Sequence, residues 1–269
     1  MLEAGGATVR KAVVGGPAAE RSALAAAELE RQRRFHAALV ASGAFGAACA
    51  EPLEAVAGEE PGLRMRFVDD PPLIEVLTAR AVGAVELERL GRTIARALEV
   101  YVDAVGEPYH DLKLDNLLYG GGRLTFLDFG DPPEGAPRGE GDAYERSAAA
   151  LLSSALFESA RPGRVRDRRL HRQSAAIARA FVAALLATGR LRGTARLGPL
   201  AAAQYRANTV ERGGLVRWWY RTGGQDGQRS GRPVEDPQFA RGVPGRPVQV
   251  TAAGLRVQRA VLGDALDHH

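Results

Sequence analysis

The stretch that most limits how this chain can fold is residues 109–132, YHDLKLDNLLYGGGRLTFLDFGDP. Two short apolar runs, 117–119 and 123–127, flank Gly120, Gly121 and Gly122. Strand-prone runs joined by glycines read as a β-hairpin. A hairpin brings its two ends together. Asn116 precedes the first strand and Asp128 follows the second, so the two are expected at the same end, with Asp111 in the loop just before. Two carboxylates and an amide oxygen then share one mouth. Hard oxygen donors of this kind suit Mg²⁺, which also keeps waters and takes phosphate oxygens. The plainer alternative is a structural hairpin whose Asp and Asn residues are solvated caps.

The rest of the chain reads as mixed helix and strand. Residues 7–14 are β-branched and end at Gly15-Gly16-Pro17, which predicts a strand. Ala, Leu, Glu and Arg dominate 18–41, which predicts a long helix ended by Ser42-Gly43. Strands are predicted at 51–56 and 63–68, and Asp69-Asp70-Pro71-Pro72 reads as a hinge or linker. Leu87, Leu90, Ile94, Leu98, Tyr101 and Val105 are spaced by 3, 4, 4, 3 and 4, one face of a helix over 85–105. Further helices are predicted at 142–159, 167–188 and 195–211. Residues 223–247 hold six Gly and four Pro with few apolar anchors, a composition that cannot offset its ordering entropy.

Asp111-x-Lys113-x-x-Asn116, followed twelve residues later by Asp128-Phe129-Gly130, resembles the catalytic loop and metal-binding turn of the protein-kinase-like superfamily. The resemblance is closest in style to the aminoglycoside and small-molecule phosphotransferases. It implies a two-lobed α+β fold, with a reduced N-terminal β lobe at 1–70, a mainly helical catalytic lobe at 71–220 and a partly disordered tail at 221–269. It also implies ATP and Mg²⁺ in the cleft and transfer of the γ-phosphoryl group to a hydroxyl. By it, Asp111 is the catalytic base, Lys113 steadies the transferring phosphoryl group, and Asn116 and Asp128 hold Mg²⁺ against the nucleotide. A lysine on a short strand before a helix with an inward glutamate resembles the ion pair that positions ATP phosphates. Lys11 is that lysine. At about 100° per residue Leu24, Glu28, Phe35 and Leu39 share a face while Glu30 points away, so Glu28 is the expected partner. An unpaired carboxylate on an apolar face is expensive, and Lys11 would satisfy it. The plainer reading of Glu28 is a solvated helix residue. Asp142 resembles the aspartate that opens a core helix of the large lobe and hydrogen-bonds the catalytic loop; an N-cap role is compatible with that.

The sequence departs from the family pattern at named places. Tyr109 stands where a histidine is usual, and no Ala-Pro-Glu signature follows Gly130. Ten residues precede Lys11, so the glycine-rich phosphate cover is expected to be absent or reduced to Gly5-Gly6. The missing activation-loop signatures favour a small-molecule acceptor, such as a sugar, an aminoglycoside-like molecule or an amino alcohol. A non-catalytic nucleotide-binding scaffold and a protein Ser/Thr kinase are the alternatives.

Composition sets the outer limits. The 269 residues are 45% hydrophobic and 25% charged, which excludes collagen-like, disulfide-scaffold and wholly disordered chains. Thirty-six Lys plus Arg against 32 Asp plus Glu give +4, too weak a balance to argue for nucleic acid. Arg161, Arg164, Arg166, Arg168, Arg169 and Arg172 form a basic run that could meet a phosphate, but a solvated helix face is the favoured reading. Trp218-Trp219-Tyr220 are read as packing or docking aromatics. Cys49 has no His or Asp arrangement that would make it a nucleophile. The most apolar stretch, 175–187, is too short to span a bilayer and contains Arg179. With one cysteine and no secretory signal pattern, a cytoplasmic protein without a membrane partner is expected.

Overall fold

In the computed structural model, residues 8–13, 17–43, 45–58, 60–131, 139, 141–158 and 168–211 are described. They form an α+β structure in which two three-stranded sheets meet a larger set of helices. The element order is β1 (Thr8–Ala12), α1 (Ala18–Ala41), β2 (Ala47–Cys49), β3 (Pro52–Val56), β4 (Gly62–Arg66), α2 (Leu73–Ala79), α3 (Ala84–Val105), β5 (Leu117–Gly120), β6 (Arg123–Phe126), α4 (Ala143–Leu152), α5 (Arg168–Ala187) and α6 (Leu197–Glu211).

The first sheet runs β1-β4-β3 and is antiparallel throughout, with Lys11 opposite Leu63 and a register irregularity between Pro52 and Glu54. Its geometry depends on Gly62. A Cβ there would lie 2.3 Å from the Lys11 carbonyl oxygen, so no other residue lets β1 come this close. The second sheet is the predicted hairpin with one added strand. β5 and β6 pair antiparallel through Leu117–Phe126 and Gly120–Arg123, and β2 lies parallel to β6 on its other side. Residues 69–72, read from sequence as a linker, run alongside this hairpin. Tyr119 N–H donates to the Pro71 carbonyl at 2.9 Å, and Pro72 bridges to Leu118.

Two apolar clusters hold these parts together. The smaller joins Leu29 of α1 to Ala50, Leu63 and Met65, with Val9, Val68 and Leu127 against it. The larger takes Phe35 and Leu39 of α1, then α2, α3, the hairpin and α4 to α6. Helix α1 therefore contributes to both. Burying one such Leu or Phe side chain is worth roughly 1.5–3 kcal/mol, so α1 is fixed from two directions at once. All six residues of the α3 stripe are buried, and Gly91 lets α5 cross closely: a Cβ there would meet Ala180 and the Ile177 carbonyl at 2.6 Å.

Several boundaries differ from expectation. The run at 142–159 breaks at Ser153, where Ser153–Glu158 widen into a π turn. Strand β2 and helix α2 have no counterpart in the sequence reading. Leu24 is exposed, and its neighbour Ala25 is buried instead, because the α1 face that carries Leu29 turns toward the smaller cluster. The whole Gly/Pro-rich tail, the Trp218-Trp219-Tyr220 group and Arg161, Arg164 and Arg166 lie outside the described residues. Among the described residues no helix is long and apolar enough to cross a membrane.

Candidate functional site

The site is built where β1, α1, the hairpin and the loop before it come together. Lys11 reaches it from β1. Its Nζ lies 2.7 Å from Glu28 Oε1 and 2.6 Å from Asp128 Oδ1. Glu28 projects from α1 with a side chain only 5% exposed, whereas Glu30 faces solvent and pairs with Arg34. Burial works against the Lys11 ammonium, but the carboxylates of Asp128 and Glu28 outweigh it and hold its pKa above the usual lysine range. Burial pushes the Glu28 carboxyl up, and Lys11 pulls it back only in part. Glu28 Oε1 also accepts the Phe129 N–H at 3.1 Å, which ties α1 to the turn after β6.

That turn is the strained part of the site. Asp128 has φ 64°, and among the described residues it is the one non-glycine with positive φ. Such a conformation costs of order 1–3 kcal/mol and persists where the surroundings impose it. They do so here from several sides. Lys11 holds the Asp128 carboxylate, Glu28 holds the next peptide N–H, and the Phe129 ring is buried in an aromatic column. Phe129 stacks on Tyr109 at 5.0 Å, Tyr109 stacks on Tyr101 at 4.9 Å, and Phe35 of α1 meets both Tyr101 and Phe129 edge-on. Such ring pairs add about 0.5–1.5 kcal/mol each beyond their buried area. The Tyr109 hydroxyl donates to the Leu127 carbonyl. Tyr109 thus anchors the residue just before Asp128.

Asp111 lies in the loop between α3 and β5. Lys113 Nζ sits 2.7 Å from its Oδ1, and Asn116 Nδ2 donates to its Oδ2 at 2.7 Å and to its carbonyl at 3.0 Å. Burial raises the Asp111 carboxyl above the usual aspartate range; Lys113 opposes this and the nearby Asp128 carboxylate adds to it. Asn116 closes a short 3-10 turn over Leu114–Asn116, and its carbonyl accepts the Leu127 N–H at 3.0 Å, which fixes it against the far strand. Asn116 is thereby brought to the hairpin end from which Asp128 extends.

The donor set can be tested against Mg²⁺. With its Nδ2 engaged by Asp111, Asn116 has Oδ1 left as the oxygen to offer, and Asp128 offers a carboxylate. Among the described residues no group of three or more His, Cys, Asp or Glu is placed to hold a metal. One carboxylate and one amide are too few for an all-protein cage, but they match a small hard cation that keeps waters and binds substrate phosphates. A divalent charge would also relieve the repulsion between Asp128 and Asp111. The residues fit the ion.

The loop carrying Asp111 is held by residues that the sequence did not single out. Ser147 of α4 is fully buried; its Oγ accepts the Tyr109 N–H at 2.8 Å while donating to the Ala143 carbonyl. Ser154, in the π turn, accepts the Leu114 N–H at 3.2 Å. These two hydroxyls take the backbone N–H groups on either side of Asp111, which burial would otherwise leave unpaired. The signal was present as polar residues inside the Ala-Leu run of α4, where a buried serine needs a partner. Asp142 takes the N-cap part of its expected role: its carboxylate accepts from Tyr144 N–H and Glu145 N–H in a capping box on its own helix. The hydrogen bond between this helix and the loop before β5 is made by Ser147 instead.

The remaining candidates lie elsewhere. Arg168, Arg169 and Arg172 start α5, where Arg169 donates to the Thr78 carbonyl and Arg172 to Arg168. Cys49 is buried in β2, and burial pushes its thiol well up, away from nucleophilic chemistry. No protein-family model matches the chain, and no curated protein matches it.

Proposed function

We propose that the chain is an ATP- and Mg²⁺-dependent phosphotransferase of protein-kinase-like, two-lobed organisation, acting on the hydroxyl of a small molecule. The observation that carries this reading is the meeting of Lys11, from the antiparallel sheet, with Asp128, from the hairpin end that also bears Asn116 beside Asp111. Three separate sequence segments converge on one partly open set of ammonium, carboxylate and amide groups.

In this reading ATP is the donor and lies with its phosphates at Lys11. Asn116 Oδ1 and Asp128 would hold Mg²⁺, which neutralises phosphate charge as the γ-phosphoryl group moves. Asp111 accepts the proton of the acceptor hydroxyl. Burial raises its pKa above the ordinary aspartate range, which makes it a stronger base than an ordinary aspartate. The hydroxyl oxygen bonds to the γ-phosphorus, the bond to the β–γ bridging oxygen breaks, and ADP leaves. Lys113, which holds Asp111 Oδ1, places a positive charge where the transferred group gains negative charge.

The test is Asp128→Ala in the full chain, assayed for Mg²⁺-dependent conversion of ATP to ADP with a panel of hydroxyl acceptors. Wild type should form phosphorylated product and the variant none. Equal turnover by both would remove the site from the reaction. Nucleotide binding without product from any acceptor in wild type would favour the scaffold alternative.

A further inference from the structure

One residue of α1 has no place in the scheme above. Arg31 lies one helical turn beyond Glu28, and its side chain is 13% exposed. Its three guanidinium nitrogens point at three different acceptors. Nη1 donates to the Phe129 carbonyl at 2.5 Å, Nη2 to Asp131 Oδ1, and Nε to Glu107 Oε2 at 3.2 Å. Glu28 already accepts the Phe129 N–H. Both backbone polar groups of Phe129 are therefore held by side chains from one turn of α1.

This arrangement bears on the residue before it. Asp128 has a left-handed backbone, a conformation that costs a non-glycine residue energy and persists where the surroundings impose it. Lys11 fixes its carboxylate, and Glu28 holds the N–H of the peptide that follows it. The next peptide carries the Phe129 carbonyl, and neither of these contacts reaches it. Rotation there would loosen Phe129 and let Asp128 relax out of its left-handed conformation. Arg31 opposes that rotation at the Phe129 carbonyl and again at Asp131. The planar guanidinium is suited to this, because it presents donors along fixed directions to several acceptors at once; a lysine has one nitrogen to offer.

We propose that Arg31 is a positioning residue that clamps the 128–131 turn onto α1 and so holds Asp128 in its strained, metal-facing conformation. The inference rests on the phosphotransferase reading for its consequence in catalysis, but the clamp itself is a structural statement. Arg31 acts on Phe129, Asp131 and Glu107. Its effect passes through Asp128, and it makes the position of α1 and the competence of the turn a single property.

The experiment compares wild type with Arg31→Met, Arg31→Lys and Arg34→Met in the full chain. Met keeps the length of the stem without its donors. Arg34 is an exposed residue of the same helix whose pair with Glu30 is worth little. Hydrogen exchange is read at the Phe129 and Gly130 amides without ligand, and turnover is read as a function of Mg²⁺ at saturating ATP. Arg31→Met should speed exchange at these amides about tenfold or more and raise the Mg²⁺ concentration for half-maximal turnover by a similar factor, with the KM for the acceptor unchanged. Arg31→Lys should recover part of both effects, and Arg34→Met should match wild type. Should Arg31→Met fail to fold, the pair Asp131→Asn with Glu107→Gln removes both carboxylates from Arg31 and is expected to speed the same exchange. Wild-type exchange at Phe129 and Gly130 in Arg31→Met, or in the double variant where Arg31→Met does not fold, overturns the clamp. If wild type itself turns over no ATP, the phosphotransferase reading fails, and the exchange measurement still decides whether Arg31 holds the turn.

Discussion

Lys11 Nζ lies 2.6 Å from Asp128 Oδ1, although 117 residues separate them in the chain. This contact joins the sheet at the N-terminal side to the turn after the hairpin, and Glu28 completes it from α1. Lys11→Met removes the ammonium that faces both carboxylates and leaves Glu28 buried without this ion-pair partner. An unsatisfied buried acceptor costs about 1–3 kcal/mol, so a urea midpoint should fall by that order. Turnover of ATP should fall more steeply, because the phosphates lose their cation.

The same contact sets a pH dependence. The Lys11 pKa is raised above its unfolded value, so its stabilising contribution is complete below the ordinary lysine pKa and is lost as pH rises through the folded one. Wild type should therefore lose stability in the alkaline range above about pH 10.4, and Lys11→Met should lack that component. Denaturant midpoints of both proteins between neutral and alkaline pH measure the difference. Parallel curves would show that Lys11 is not linked to folding.

Asp111 gives the same sign at lower pH, but there the protonated form that the fold favours is the neutral one. Its carboxyl is raised by burial and by Asp128, so its contribution to stability is complete below the ordinary aspartate range and is lost as pH rises through the folded pKa. Burial makes the ionised carboxylate the costlier form for the fold. Asp111→Asn should consequently melt at or above the wild-type temperature while product formation disappears. A variant that is both inactive and clearly destabilised would mean that Asp111 serves structure rather than chemistry.

Ser147 and Ser154 offer a way to move Asp111 without touching it. Ser147→Ala leaves the Tyr109 N–H buried and unpaired, and Ser154→Ala does the same for Leu114. Each is expected to cost about 1–3 kcal/mol in stability. In the proposed enzyme kcat should fall with little change in the KM for ATP, because the base shifts while Lys11 stays in place. A rise in KM for ATP at constant kcat would point to the wrong element.

What could be read from the sequence divides along physical lines. The α3 stripe and the glycine-tipped hairpin are local patterns, set by side-chain period and turn chemistry, and both are present. Glu28 could be singled out over Glu30 because a helix has only one buried face. Strand β2 is different: Ala47–Cys49 has no alternation of its own and exists by pairing with β6, some 77 residues away. Helix α2 begins directly after Pro71-Pro72, where a breaker signal hides a helix start. The π turn at Ser153 sits inside a continuous apolar run that carries no mark of the change. At the site, the charged groups were legible as a motif, whereas Arg31, Ser147 and Ser154 act on backbone groups of distant segments. Short-range patterns do not encode such contacts, and in an arginine-rich chain one more arginine carries little signal.

Gly62 ties the fold to the site through a single missing atom. Its place opposite Ala12 lets β1 lie so close that a Cβ would fall 2.3 Å from the Lys11 carbonyl oxygen and 3.1 Å from Ala12 Cα. These are backbone atoms and cannot rotate aside. Gly62→Ala must push β1 away from β4, and Lys11 moves with it. Overpacking of this kind costs about 1–3 kcal/mol. Gly43→Ala is the comparison, since Gly43 has φ 75° but nothing within 4 Å of a built Cβ; it strains the backbone locally and leaves β1 alone. Both variants should lower the melting temperature, but only Gly62→Ala should weaken MgATP binding, measured by the thermal shift that saturating MgATP produces. An equal shift in the two variants would show that the seating of β1 does not govern where Lys11 presents its charge.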